Sequence, residues 1–278
     1  MNTLPISARS SPLTPGETGR MRGPGGGGRT GLDEMLDLVG IPGVGGSAVA
    51  FVQPTLRRLR TREPLFIEGG RASSLCVVRR GSFKVFRTDE GGCEQVFAFA
   101  TRGDMLGCDA LCGDRHLMAA VALEDSSVLS LSLADFFALA QSVPSFYRGA
   151  MRAVSNAMID LTRLSDMMAA VAAEIRLARF LVYLSRRSSD HGHPAEYLHL
   201  PMTRRDIGSY LGVAHETVSR SFKALADAAL ITVDKRSVEI LDFDALRRYG
   251  HGARAPASAH CPMSAAVSWP DQRLAVAA

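Results

Sequence analysis

Late in the chain, five side chains have the types and spacing to hydrogen-bond to the edges of nucleic-acid bases. In the stretch HETVSRSFK, His215, Glu216, Ser219, Arg220 and Lys223 share one face of a helix, because residues three and four apart lie side by side. Arg220 can fork onto guanine O6 and N7, Glu216 can accept from cytosine N4, and Ser219 can serve either base type. A solvated amphipathic helix carries a similar charge mixture, so this face needs support from its surroundings. Other reactive groups are sparse. The five cysteines (Cys76, Cys93, Cys108, Cys112 and Cys261) are scattered, and no nucleophile, base and orienting-group set is evident. Residues 23–28 are glycine-rich without a flanking strand and carry no phosphate-loop meaning.

The polar face needs a scaffold, and the flanking sequence supplies one. Val218, Phe222 and Leu225 form an apolar stripe on the opposite side, and Ile207 and Leu211 form a second stripe just upstream. Thr203 with Asp206 three residues on makes an N-terminal capping arrangement. Gly212 stands where a first helix must stop and the chain reverse, and Gly208 keeps that helix thin where a second would cross it. The spacing is that of a helix-turn-helix. Downstream, LITVD and SVEIL flank the tight turn KRS and predict a two-stranded wing, with Lys235 and Arg236 placed to meet phosphates.

The segment PMTRRDIGSYLGVAHETVSRSF, residues 201–222, resembles the DNA-reading element of the Crp/Fnr regulators, in particular the Fnr and FixK branch. That branch carries E-x-x-S-R on its recognition helix, matched by Glu216, Ser219 and Arg220. The resemblance implies that Glu216 and Arg220 read the C and G of a half-site, and that Ser219 favours TTGAT-like over TGTGA-like sites. The implied DNA-binding set is Thr203, Arg204, His215, Glu216, Thr217, Ser219, Arg220, Lys223, Lys235 and Arg236. His215 departs from the family, where the Crp branch has Arg and many Fnr proteins have Val, so preference at the outer base pairs stays open.

With 278 residues, 46% hydrophobic and 22% charged, the chain is long enough for two modest domains. Its net charge of +4 permits a polyanionic partner without demanding one. No apolar run reaches membrane-spanning length and no signal-peptide layout opens the chain, so a cytoplasmic protein without a membrane partner is expected. The odd, scattered cysteines fit a reducing compartment.

Residues 1–31 are rich in Gly, Pro, Ser and Arg and predict a disordered arm. Two weakly helical patches, LDEMLDLV and FVQPTLRRL, follow. From residue 64 short strands alternate with turns, with Gly81, Gly91 and Gly92 at hairpins and Phe83, Val85, Phe97 and Phe99 as core candidates. This region, 32–143, resembles the family's double-stranded β-roll, a cyclic-nucleotide-binding-like sensor domain. Residues 144–171 carry Met151, Val154, Met158, Leu161, Leu164 and Met168 at helical spacing. Such a stripe can be an internal core, but its position resembles the family's long dimerisation helix, and heptad-like spacing suits a parallel two-stranded contact. Residues 172–249 complete a winged helix-turn-helix domain, and 250–278, with Trp269, read as a loose tail. The expected class is therefore α+β: an N-terminal β-roll, a long dimerisation helix and a C-terminal winged helix-turn-helix.

No cofactor is expected. In the stretch GDMLGCDALCGDRHLMAAVALEDSS, residues 103–127, the place where the cyclic-nucleotide branch has Arg-Ser holds Met118 and Ala119, and Arg115 sits on the preceding loop. A buried phosphate would lose its bidentate partner there. The iron–sulfur cluster of oxygen-sensing Fnr proteins needs four thiolates, and residues 1–75 contain no cysteine. Haem stays open, as does a redox role for Cys108 and Cys112. A metal enzyme of the cupin type, the rival from another class, needs clustered imidazoles, and the strand region has only His116. His191, His193 and His199 are expected as surface side chains. The whole reading is a homodimeric transcription activator, not an enzyme, that binds inverted-repeat duplex DNA, works with RNA polymerase, and serves oxygen, redox or nitrogen-oxide control. The alternative is a regulator of the same fold that responds to a cyclic nucleotide or haem.

Overall fold

A computed structural model describes residues 31–41, 52–190 and 194–252. The predicted arm up to residue 30, the tail from 253 with Cys261 and Trp269, and His191 and His193 lie outside the described residues.

A short helix α1 (Gly31–Leu38) leads into eight strands: β1 (Thr55–Leu59), β2 (Pro64–Phe66), β3 (Ser74–Arg80), β4 (Phe83–Thr88), β5 (Glu94–Ala100), β6 (Met105–Leu106), β7 (Ala119–Ala122) and β8 (Ser126–Ser132). They form two four-stranded antiparallel sheets, ordered β1-β8-β3-β6 and β2-β7-β4-β5. Within the segment FVQPTLRRL, expected as helix, Thr55–Leu59 is instead β1. Its helical look is overridden by the ladder to β8, in which Thr55 to Leu59 pair with Ser130 to Ser126.

Leu65, Val78, Phe83, Val85, Ala120 and Val128 fill the space between the sheets. The expected core position Phe97 is only half-buried, whereas Val96 is 1% exposed. A register shift between Val85 and Phe86 in the β4–β5 ladder changes which β5 side chains turn inward. At the hairpins Gly81 and Gly92 take positive φ, and Gly91 does not.

The outer face of the β1-containing sheet is covered by α1 together with α2 (Leu133–Ser142) and the start of α3 (Pro144–Met168). Ser132 caps α2 by accepting from the Asp135 amide, and Pro144 sits in the first turn of α3, where its missing N–H costs nothing. Beyond Ala150 the α3 face changes character. Met151, Met158, Leu161 and Met168 are exposed, Met158 to 65%, while Val154 and Leu164 are half-buried. Tyr147 and Ile159, which the sequence stripe left out, are also exposed.

After a short break come α4 (Ala173–Asp190), β9 (Tyr197–His199), α5 (Arg204–Leu211), α6 (His215–Asp227), β10 (Ile231–Asp234), β11 (Ser237–Ile240) and α7 (Phe243–His251). The wing is three-stranded rather than two-stranded, in the order β10-β11-β9, because the short strand before α5 pairs with β11. Helix α7 also runs past residue 249, the predicted end of the domain, and Arg179 of α4 donates to the Gly250 carbonyl at 2.7 Å.

One apolar core belongs to both halves of the molecule. Phe86, Val96, Phe99 and Ala119 of the second sheet join Phe180, Ile207, Tyr210 and Leu211 in a single buried cluster. The Phe99 ring lies 6.0 Å from that of Phe180 and 5.1 Å from that of Tyr210. Helices α4 and α5 on one side thus meet the outer face of β4 and β5 on the other.

Candidate nucleic-acid interface

Thr203 caps α5 by accepting from the Asp206 amide, and Asp206 closes the reciprocal bond to the Thr203 amide at 2.9 Å. The Thr203 hydroxyl, offered from sequence as a DNA contact, is occupied in this box and donates to Asp206 Oδ2 at 2.6 Å. Helix α5 ends at Gly212, φ +64°, in the left-handed region. The turn is tight enough that a Cβ on Gly208 would stand 2.7 Å from the Val213 carbonyl oxygen.

Helix α6 then buries Val218, Phe222 and Leu225, which are 1%, 4% and 0% exposed. His215, Glu216, Ser219, Arg220 and Lys223 are exposed on the other side, and Thr217 is half-buried between them. The polar side chains of this ridge are held only by local bonds. Ser219 donates to the His215 carbonyl at 3.1 Å, Arg220 donates to the Thr217 hydroxyl at 3.2 Å, and His215 Nε2 lies 3.2 Å from Glu216 Oε1. Each can be exchanged for a base-edge contact without unfolding the helix. The ridge is narrow because α6 lies on α5 along its apolar stripe, which leaves its other side clear.

Arg204 is placed differently from the phosphate contact that its charge suggests. Its guanidinium carbon lies 3.5 Å from the centroid of the Phe222 ring, and burial there lowers its pKa. Arg205, the next residue, is exposed and was not singled out by sequence reasoning; only the direction of the helix distinguishes the two. Lys235 and Arg236 occupy the exposed turn of the wing, where Lys235 takes φ +53°. Of the ten predicted DNA-binding residues, the structure gathers His215, Glu216, Ser219, Arg220 and Lys223 into one open ridge and sets Lys235 and Arg236 on the wing. Thr203, Arg204 and Thr217 are engaged in holding the element together.

In the β-roll, several side chains of the stretch 103–127 are bonded within the domain. Asp109 takes a hydrogen bond from the Leu117 amide at 2.7 Å and lies 3.0 Å from Nδ1 of His116, itself 5% exposed. The His116 ring stacks on Phe66 at 4.0 Å. Arg115 donates to the Gly69 carbonyl at 2.7 Å. Cys108 is half-buried and Cys112 exposed, at the two ends of a short 3-10 helix. Burial, reinforced by the neighbouring Asp109 carboxylate, pushes the Cys108 thiol up to about 11. Among the described residues no group of three or more His, Cys, Asp or Glu side chains is arranged to hold a metal ion, and no helix is long and apolar enough to cross a membrane.

Comparison with known proteins places both halves of the chain. Residues 56–143 match the cyclic nucleotide-binding domain family, and residues 175–249 match the Crp-like helix-turn-helix domain family. Over 197 residues the chain is 34% identical to the transcriptional activator protein FnrA of Stutzerimonas stutzeri, covering 71% of this chain and 81% of that protein. It is 35% identical over 180 residues to the fumarate and nitrate reduction regulatory protein of Vibrio cholerae, covering 65% of this chain and 72% of that protein. Among solved structures, that of FixK2 from Bradyrhizobium japonicum superposes with a TM-score of 0.66 at 26% identity, covering 72% of this chain and 98% of that one. The chain belongs to the Crp/Fnr family, whose members are DNA-binding transcription regulators and not enzymes of the cupin type.

Proposed function

We propose that the protein acts in the cytoplasm as a homodimer that binds an inverted repeat with TTGAT-like half-sites and activates transcription through RNA polymerase. The observation that carries this reading is the open ridge of Glu216, Ser219 and Arg220 on a helix whose opposite side is fully buried. Helices so arranged enter the major groove, and two of them related by two-fold symmetry would reach successive grooves about 34 Å apart. Glu216 accepts from cytosine N4 and Arg220 forks onto guanine. Lys235, Arg236 and Arg205 supply phosphate contacts, which fix register without reading sequence.

Dimerisation through α3 is supported by Met151, Met158, Leu161 and Met168, an exposed apolar line along 25 helical residues. The relatives' names, a transcriptional activator and a fumarate and nitrate reduction regulator, support control by oxygen, redox state or nitrogen oxides. We read the sensor domain as needing no bound cofactor; Met118 and Ala119 stand where the cyclic-nucleotide branch has Arg-Ser, and Asp109 and His116 are engaged with one another.

The test is a gel-shift titration after selection from a random oligonucleotide pool. The selected sites should be inverted repeats, and Arg220→Ala should cost about 1 to 3 kcal/mol on the best of them while relaxing selectivity at one base pair. Unchanged affinity for Arg220→Ala would remove the assignment of that residue.

A further inference from the structure

The first helix of the helix-turn-helix is bonded directly to the sensor sheet. Lys84, the second residue of β4 and only 8% exposed, places its ammonium 2.9 Å from Asp206 Oδ1 and also bonds Glu94 of β5. Asp206 therefore does two things with one carboxylate: Oδ2 closes the capping box of α5 and Oδ1 holds Lys84. One turn further on, Ser209 donates to the Glu94 carbonyl at 2.6 Å and accepts from the Val96 amide at 2.9 Å. Gln95 donates to the Ser209 carbonyl at 3.0 Å.

These bonds fall on β5, the edge strand of its sheet, whose outward amide and carbonyl would otherwise have only water. An edge strand is usually covered by a strand or loop. Here it is met by a helix side chain that supplies one donor and one acceptor at the spacing of two backbone groups. A buried ammonium between two carboxylates is a costly arrangement unless all three stay together, so it defines one docked geometry rather than a range. The recognition ridge remains exposed in that geometry.

We infer that Lys84 and Ser209 are positioning residues for DNA reading: they fix α5, and through it α6, to the sensor domain, and so set the distance between the two recognition helices of a dimer. The chain passes from sensor to reading domain through the short break between Met168 and Ala173, where Arg176 of α4 donates to the Ala170 carbonyl at 2.7 Å. Docking on β5 adds a second attachment away from that break, and two separate attachments fix an orientation that one leaves adjustable. The consequence is a single permitted spacing between half-sites. This inference rests on the proposed DNA-binding function for its second readout and is independent of it for the first.

The experiment compares full-length wild type with Lys84→Met and Ser209→Ala. Hydrogen exchange is followed at β5, and DNA is selected from inverted repeats whose half-site spacing is varied one base pair at a time. Ser209→Ala is the decisive variant, because alanine on a half-exposed helical position favours the helix itself, so a purely local role predicts no loss. The expected result is about tenfold faster exchange at Val96 in both variants. With it, preference should spread from one spacing to its neighbours while the half-site sequence is retained. Unchanged exchange in Ser209→Ala, or faster exchange with the spacing still single, overturns the inference. If Lys84→Met does not fold, Ser209→Ala gives the same two readings. If wild type selects no repeat at all, the DNA-binding reading fails, and the exchange comparison alone decides whether α5 is docked as described.

Discussion

The guanidinium of Arg204 lies over Phe222, 3.5 Å from the ring centroid, so a residue at the start of α5 braces the apolar side of α6. This stacking ties the two helices together. We expect that role in packing to outweigh any contact of Arg204 with phosphate.

Arg204→Ala should therefore lower the stability of the reading domain by about 1 kcal/mol, as expected for a partly desolvated cation–π pair. The slope of log affinity against log salt should stay as in wild type. Lys235→Ala and Arg236→Ala should do the reverse, leaving stability alone and reducing the slope by about one for each phosphate no longer neutralised. Thermal unfolding and a salt titration of DNA binding check both halves.

Gly208 admits no side chain. A Cβ there would meet the Val213 carbonyl, a backbone atom that cannot move without opening the turn. Gly208→Ala should destabilise the helix-turn-helix by about 1 to 3 kcal/mol, the cost of overpacking, even though alanine is the better helix former. Denaturant unfolding followed at the reading domain measures this. A stabilised variant would show that α5 and α6 cross elsewhere.

The Lys84–Asp206 pair predicts a window of pH. Burial pushes the Asp206 carboxyl up, but hydrogen bonds from Thr203 and Lys84 outweigh it and its pKa is lowered. Its contribution is present above the unfolded value of about 3.9 and lost as pH falls through the lower folded value. For Lys84, burial alone would lower the pKa, and the bonds to Glu94 and Asp206 outweigh it and raise it. Its contribution is present below about 10.4 and lost as pH rises through the higher folded value. Docking of α5 on β5 should thus be insensitive to pH between about 5 and 9 and weaken at both extremes. Exchange at Val96 against pH tests this, and Lys84→Met should remove the alkaline limb.

The four cysteines of the described residues should react in a fixed order. Cys93 and Cys112 are exposed, Cys76 is buried, and burial holds the Cys108 thiol up at about 11. The thiolate is the reactive form, so iodoacetamide at about pH 8 should label Cys93 and Cys112 well before Cys108 and Cys76. Mass spectrometry of timed samples reads the order. Rapid labelling of Cys108 would show that the 3-10 helix opens readily.

Much of the reading element was legible in the residues. Thr203 with Asp206, Gly208, Gly212 and the stripe of Val218, Phe222 and Leu225 specify caps, a turn and an apolar face through local chemistry, and local chemistry survives in any context. The same holds for the alternating strands that build the β-roll and for the apolar line along α3. Other outcomes needed partners distant in sequence. FVQPTLRRL has a helical look, and only β8 makes Thr55–Leu59 a strand. Phe97 yields its inward place to Val96 because of a register shift that no composition records. Arg204 and Arg205 are equal as neighbours in the chain, and the crossing of α5 over α6 decides which one stacks and which one faces solvent. Above all, Lys84 and Asp206 stand 122 residues apart, each ordinary when read alone. A pattern of nearest neighbours fixes what each helix and strand is. Which sheet edge a helix covers, and which buried charge meets its opposite, depends on how whole elements pack, and that is settled only when the chain has folded.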